Sequence, residues 1–374
     1  MTSLSIIDSG FLLTESHHSP KHVAGLQIFR LPKGKGSAWL QKLLHDMKQA
    51  PPGYPFNQRL KPGSIIQPEL EFDEHFDIDY HVRHSVVPHP GSDDQLLDVV
   101  ARLHANLLDR ERPLWEFHLI EGLEGRRFAF YIKIHHAICD GATFSKWMSQ
   151  STGTEPDGNT PPIWARPRRQ AGHTERPWLE TLQAPVSLVR TGRDIGLGLT
   201  KIAGGIARKR FIEQNQDVAL PLSGPQTAIN GELTASRNLA FCAFPVDELK
   251  AMARPLGGTL NDALLAICDA ALRRYLGEQG QTPDKPLIAM VPVNLREAGD
   301  ESEGNFVTSL QVKLGGQQSE PAERLQAVSR SVKTAKDLYS GVPAVAAQAY
   351  SFSAAGLAAL GPVSYTHLRA HETN

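Results

Sequence analysis

At 374 residues, and with a soft prior of roughly 150 residues per domain, the chain has room for about two domains that each bury a core, which excludes a small stapled scaffold. Lys plus Arg is 39 against Asp plus Glu at 40, a formal net charge of −1, and that balance argues against nucleic acid as a partner. Three widely spaced cysteines, Cys139, Cys242 and Cys268, form no Cys-x-x-Cys pair, so neither a disulfide framework nor a zinc knuckle is expected and a reducing, cytoplasmic setting fits best.

The N-terminal residues Met1 to Asp8 lack the basic region and apolar run of a secretion signal. Val23 to Phe29 reads as extended, Trp39 to Met47 as helical, and Asp94 to Leu108 repeats apolar residues at helical spacing. A short acidic and aromatic stretch, Glu69 to Tyr80, lies between them. Phe128, Phe130, Ile132 and Ile134 occupy alternate positions with Tyr131 and Lys133 on the opposite face, the period-two pattern of a strand that ends in His135 and His136.

From Ser151 to Pro177 the composition shifts to Gly, Pro, Thr and Arg, the signature of a linker or long surface loop. Beyond it Leu188, Ile195, Leu199, Ile202 and Ile206 recur at helical spacing, while Arg190, Arg193, Lys201, Arg208, Lys209 and Arg210 make the segment basic. Two readings stand: a connecting helix whose apolar stripe packs on protein, or a surface that docks on anionic lipid at a membrane or lipid inclusion. Gly192, Gly196, Gly198, Gly204 and Gly205 weaken an isolated helix there.

In the second half, Arg237 to Pro245 reads as a strand, Leu260 to Tyr275 as a helix, Pro286 to Val293 and Thr308 to Leu314 as strands, and Ala322 to Leu338 as a long helix. Val342 to Leu360 comes nearest to a membrane span but is broken by Pro343, Gln348 and serines. Mixed α/β with two subdomains is the class these elements indicate.

The densest chemistry lies at His135-His136-Ala137-Ile138-Cys139-Asp140-Gly141, where a strand gives way to a turn and a helix. If strand geometry holds to its end the two imidazoles point to opposite sides, and His136 continues the apolar face. An imidazole suits proton abstraction from an alcohol near neutral pH. Asp140 and Gly141 supply a tight turn, and the carboxylate can orient a ring, cap the next helix or pair with an arginine. Rival readings are a structural histidine pair, a metal site using His136 and Asp140, and a nucleophilic hydrolase. No third metal ligand or His-Glu-x-x-His supports the second, and no Gly-x-Ser-x-Gly elbow supports the third.

His-His-x-x-x-Asp-Gly resembles the active-site motif of the CoA-dependent acyltransferase superfamily. Its company narrows the resemblance: Leu4 to Glu15 with His22-Val23, Pro113-Leu114-Trp115-Glu116, Pro225 to Gly231, Asn261-Asp262-Ala263-Leu264-Leu265-Ala266, and Pro292-Val293-Asn294-Leu295-Arg296 with Gly304-Asn305. In order, these are similar to the motifs of bacterial wax ester synthase/diacylglycerol acyltransferases, from about Leu4 to about Pro362.

That resemblance implies an α/β fold of two chloramphenicol-acetyltransferase-like subdomains, mixed sheets flanked by helices, with a substrate tunnel between them. It implies acyl-CoA as a substrate, no bound cofactor, and diacylglycerol or a fatty alcohol as acceptor. His136 is then the general base for direct attack on the thioester, His135 orients the turn, and Asp140 is structural and arginine-paired. A carrier-bound acyl donor, or a catalytically silent lipid-surface protein, are the alternatives. Asn261 is expected to donate to the oxyanion, unless the site is a helix N-cap, with Asn261 or Thr259 preceding the apolar run Ala263 to Leu272. Asp262 falls among the substrate-binding candidates, although a first-turn carboxylate serving the helix dipole is the better reading. Pro113, Leu114 and Trp115 are expected to shape the tunnel or its packing.

Val363 to Thr373 is similar to the conceptual translation of a transposase sequencing adapter, so residues 363–374 are set aside from fold reasoning. The expected organisation is an N-terminal subdomain over 1–150, a linker and basic segment over 151–215, and a second subdomain over 216–362. Because the family continues further, that second subdomain is expected to be incomplete.

Overall fold

A computed structural model of the protein describes residues 2–63, 68–155, 160–165, 178–294, 307–318 and 320–351. The chain divides into two units: one holds the described residues of Met1–His173 and Leu233–Phe241, the other those of Thr174–Glu232, Cys242–Ala298 and Phe306–Asn374. The tail at 363–374, Arg296, and Gly304-Asn305 lie outside the described residues.

The first unit begins with β1 (Thr2–Ser3) and α1 (Ile6–Thr14). Ser5 and Asp8 fix the start of α1 through a reciprocal capping box, which satisfies two backbone amides that the helix itself leaves unpaired. β2 (His22–Arg30), α2 (Ser37–Lys48), β3 (Gln58–Leu60), β4 (Glu69–Phe72), α3 (Ile78–His81) and β5 (Val82–Val86) follow. α4 (Asp93–Ala105) is capped by the same device at Ser92 and Gln95. β6 (Trp115–Leu123), β7 (Arg127–His135) and α5 (Gly141–Gln150) complete the unit's main elements.

β2, β7, β6 and β5 form one sheet in that order, antiparallel except for the β5–β6 pair. The alternation along β7 is real, but both of its faces are buried. Phe128, Ile132 and Ile134 pack with Leu40 and Leu44 of α2 and Phe144 and Trp147 of α5. Ala129 and Tyr131 pack on the other side with Leu96, Val99 and Val100 of α4. Gly25 lets α5 approach β2, since a Cβ there would stand 3.0 Å from the Phe144 ring.

In the second unit the expected basic segment forms α6 (Trp178–Ala207), continued by a looser turn over Arg208–Ile212. Among the described residues no helix is long and apolar enough to cross a membrane. α7 (Val246–Ala253), α8 (Leu260–Glu278), β8 (Ile288–Asn294), β9 (Val307–Lys313) and α9 (Pro321–Tyr339) follow. β8 and β9 pair antiparallel, and their apolar face joins α7, α8 and α9 around Leu249, Ala263, Val291, Leu310, Val328 and Val332.

One expected element is absent. Arg237 to Pro245 has no regular structure, and Leu239, Phe241 and Phe244 are exposed by 39%, 58% and 45%. Apolar content alone does not make a strand: a ladder partner must supply its backbone hydrogen bonds, and among the described residues none pairs with it.

Candidate active site

β7 delivers His135 as its last residue, where it stands opposite His22 of β2. The His135 amide donates to Leu114 O at 3.0 Å, and the His136 amide donates to Lys21 O at 2.8 Å. The chain then turns: the Ile138 amide returns to His135 O at 2.9 Å. Asp140 caps α5 by accepting the Thr143 amide at 2.8 Å, so its carboxylate performs the helix-capping option open to it. Gly141 opens that helix, and a Cβ there would meet nothing within 4 Å.

His135 is fully buried, and both ring nitrogens face polar groups. Nδ1 accepts the Ala137 amide at 3.0 Å, which leaves the ring proton to Nε2, 3.3 Å from Glu15 Oε1. Glu15, the C-cap residue of α1, also accepts the Lys21 amide at 3.1 Å and the Arg110 guanidinium at 3.1 Å. Burial works against its charge, yet His135, the Lys21 amide and Arg110 together hold its carboxyl down at about 2.

His136 is half-buried, and its ring stacks on Phe11 of α1 with centroids 4.3 Å apart and planes 11° from parallel. The expectation that the two imidazoles diverge therefore needs correction. β7 stops at His135, strand alternation does not govern His136, and both rings meet residues of the α1 segment one helical turn apart. Neither Phe11 nor Glu15 stands out individually in the sequence, although both lie inside the Leu4 to Glu15 motif.

A second polar cluster lies under the same strands. Lys133 is wholly buried and donates to Leu103 O at 2.9 Å and Asn106 O at 2.8 Å, the carbonyls at the end of α4. Its ammonium also stands 3.4 Å from Glu116, which faces His118 and Arg83 as well. Burial pulls the Lys133 ammonium below its ordinary range, against the attraction of Glu116. The sequence places Lys133 on a face away from the apolar one; the structure shows that face covered by α4 and the charge satisfied there.

Pro113, Leu114 and Trp115 are buried. Trp115 donates its indole N–H to Phe56 O at 2.8 Å and stacks on His81 and Trp164. Leu114 packs with Leu4, Leu12 and Ala137. These side chains form the packing beneath the His135 turn.

Asn261 and Asp262 belong to the second unit. Thr259, not Asn261, caps α8, and its reciprocal partner is Asp262, which accepts the Thr259 amide at 2.8 Å. Asp262 is thus a buried capping carboxylate. Asn261, relieved of that role, is exposed and lines a cavity of about 720 Å³. Among the described residues no group of three or more His, Cys, Asp or Glu side chains is placed to hold a metal ion.

The wax ester synthase/diacylglycerol acyltransferase catalytic-domain model matches residues 4–264. A probable diacylglycerol O-acyltransferase of Mycobacterium tuberculosis is 36% identical over 358 residues, covering 94% of this chain and 77% of that protein. An O-acyltransferase of Acinetobacter baylyi is 32% identical over 369 residues, covering 97% and 79%. Among solved structures, the wax ester synthase/diacylglycerol acyltransferase of Marinobacter aquaeolei VT8 superposes with a TM-score of 0.68 at 31% identity, covering 96% of this chain and 78% of that one. The first condensation domain of the calcium-dependent antibiotic synthetase, at 16% identity and a TM-score of 0.57 over 90% and 75%, shares the mixed α/β fold. By its family match and its relatives, the chain belongs to the wax ester synthase/diacylglycerol acyltransferase family and is an acyltransferase.

Proposed function

We propose that the protein esterifies diacylglycerol or a long-chain fatty alcohol with an acyl group from acyl-CoA, and that His136 is the general base. The observation that supports His136 over His135 as the base is exposure, since His135 is fully buried and His136 is not. His135 has Nδ1 on a backbone amide and Nε2 against Glu15, whereas His136 is half-buried and held flat against Phe11. His136 accepts the hydroxyl proton as the alcohol oxygen attacks the thioester carbonyl. The carbon–sulfur bond then breaks, and the proton passes to the departing CoA thiolate. Binding both substrates together supplies the proximity advantage without a covalent acyl-enzyme.

Contact with a lipid surface forms part of the same proposal. Phe211 and Ile212 are 71% and 78% exposed directly after Arg208, Lys209 and Arg210, an apolar tip beside cations that suits an anionic lipid interface. Arg208 and Lys209 keep carboxylate neighbours in Glu213 and Asp337, so the apolar tip carries more of this contact than net charge.

The test is a thiol-release assay with palmitoyl-CoA and either dioleoylglycerol or hexadecanol, with the ester product identified. Acceptor-dependent CoA release with matching ester is the expected result. Transfer from an acyl-carrier protein with none from free acyl-CoA would overturn the donor, and liposome binding without any CoA release would overturn the activity.

A further inference from the structure

Phe11 lies in the last turn of α1, and its ring covers one face of the His136 imidazole, with centroids 4.3 Å apart and planes 11° from parallel. The helix that carries it is anchored at both ends. At its start, the Ser5–Asp8 capping box closes the first turn and the Leu4 amide donates to Pro68 O at 2.9 Å. Near its end, Arg110 donates to Leu12 O at 2.6 Å. Leu12, beside Phe11 in the chain, is buried and packs with Leu4, Leu70, Leu108 and Leu114. Phe11 itself is half-buried, and its position follows from these anchors.

The two histidines are restrained in different ways. His135 accepts the Ala137 amide at Nδ1 and faces Glu15 with Nε2, so its ring is held through its nitrogens. The Phe11 contact holds His136 through its π face instead. The lone pair that accepts a proton lies in the plane of an imidazole, at its edge, so stacking restrains the ring without taking up a nitrogen. A second consequence is electrostatic. An aromatic face carries negative charge density, and a cation within about 6 Å of the ring centroid is attracted to it, more strongly where water is excluded. The Phe11–His136 separation of 4.3 Å falls inside that range.

A neutral imidazole gains little from this attraction and an imidazolium gains more. When the hydroxyl proton of the alcohol moves to His136, the ring becomes cationic against the Phe11 face; when the proton passes on to the CoA thiolate, that charge is gone. The contact is therefore strongest while the charge exists, and an interaction that strengthens towards the transition state is the kind that accelerates a step. We propose that Phe11 is a positioning residue of the reaction, whose π face fixes the His136 ring and stabilises the imidazolium formed as the alcohol loses its proton. The inference rests on the role of general base proposed above for His136.

The experiment replaces Phe11 by mono-, di- and trifluorinated phenylalanine, which keep the shape of the ring while withdrawing charge from its face. Single-turnover ester formation from palmitoyl-CoA and hexadecanol is measured in each protein, with palmitoyl-CoA affinity in parallel. The rate falls stepwise with the number of fluorines, to about 2- to 30-fold below that of the natural protein, the range for a cation over an aromatic face, while affinity is unchanged. Phe11→Leu, apolar but without a π face, loses at least as much as the trifluorinated ring. A rate unmoved across the folded fluorinated proteins overturns the inference, as does a loss confined to palmitoyl-CoA affinity or a Phe11→Leu rate equal to the natural one. Natural turnover by His136→Ala overturns the underlying reading instead.

Discussion

Glu15 Oε1 lies 3.3 Å from His135 Nε2, while Phe11, one turn earlier on α1, stacks on His136. A single short helix thus addresses both members of the histidine pair: a buried carboxylate orients the first ring and an aromatic face supports the second. Glu15 is itself tied to Arg110 and to the Lys21 amide, so the α1 segment, the strand end and the turn before α5 are joined through one carboxylate.

Glu15→Gln keeps the shape of that link and removes its charge. The expected outcome is a fall in kcat of up to about 100-fold, the scale for displacing a reacting group by an ångström, with KM for acyl-CoA little changed. Steady-state kinetics on the folded variant checks it, and an equal loss in KM would instead assign Glu15 to substrate binding.

Lys133→Met removes a buried ammonium that satisfies two carbonyls at the end of α4 and faces Glu116. Glu116 would then remain in a nearly closed site without that cation. The expected loss is about 3–5 kcal/mol, as for other buried pairs deprived of one partner, and urea unfolding followed by tryptophan fluorescence measures it.

Acid should weaken the first unit in two steps. Burial lowers His22 and His81 to about 4 from 6.5, against the hydrogen bond each makes to a backbone carbonyl. The unfolded chain therefore binds these protons first, so the stabilisation is complete above about pH 6.5 and is lost as pH falls towards 4. Glu15, whose carboxyl is held at about 2 against 4.5, adds a second loss as pH falls below 4.5. Melting temperatures across pH 7 to 3 test this, and His81→Phe should flatten the upper step.

Much of this architecture is legible in the sequence because periodicity reports which faces are buried. The alternation from Phe128 to Ile134 marks β7, and the apolar run from Ala263 marks α8, whereas the choice of Thr259 over Asn261 as its cap emerges only in the structure. Lys133 misleads because a lysine reads as a solvent face, and its partners Leu103 and Asn106 come from the end of a helix distant in the chain. Glu15 and His135 are likewise far apart in sequence, and nothing local to Glu15 signals a buried contact between a carboxylate and an imidazole. Arg237 to Pro245 shows the opposite error: apolar content predicts a strand, but a strand also needs a neighbour.

The role proposed for His136 is to take the proton of the attacking alcohol. Its most direct measurement is ester formation from palmitoyl-CoA and hexadecanol by His136→Ala, with palmitoyl-CoA binding measured in parallel. Turnover is expected to fall by about 10²–10⁴-fold, the range for a lost general base, while acyl-CoA binding persists. Turnover at the natural rate by the folded variant would contradict it.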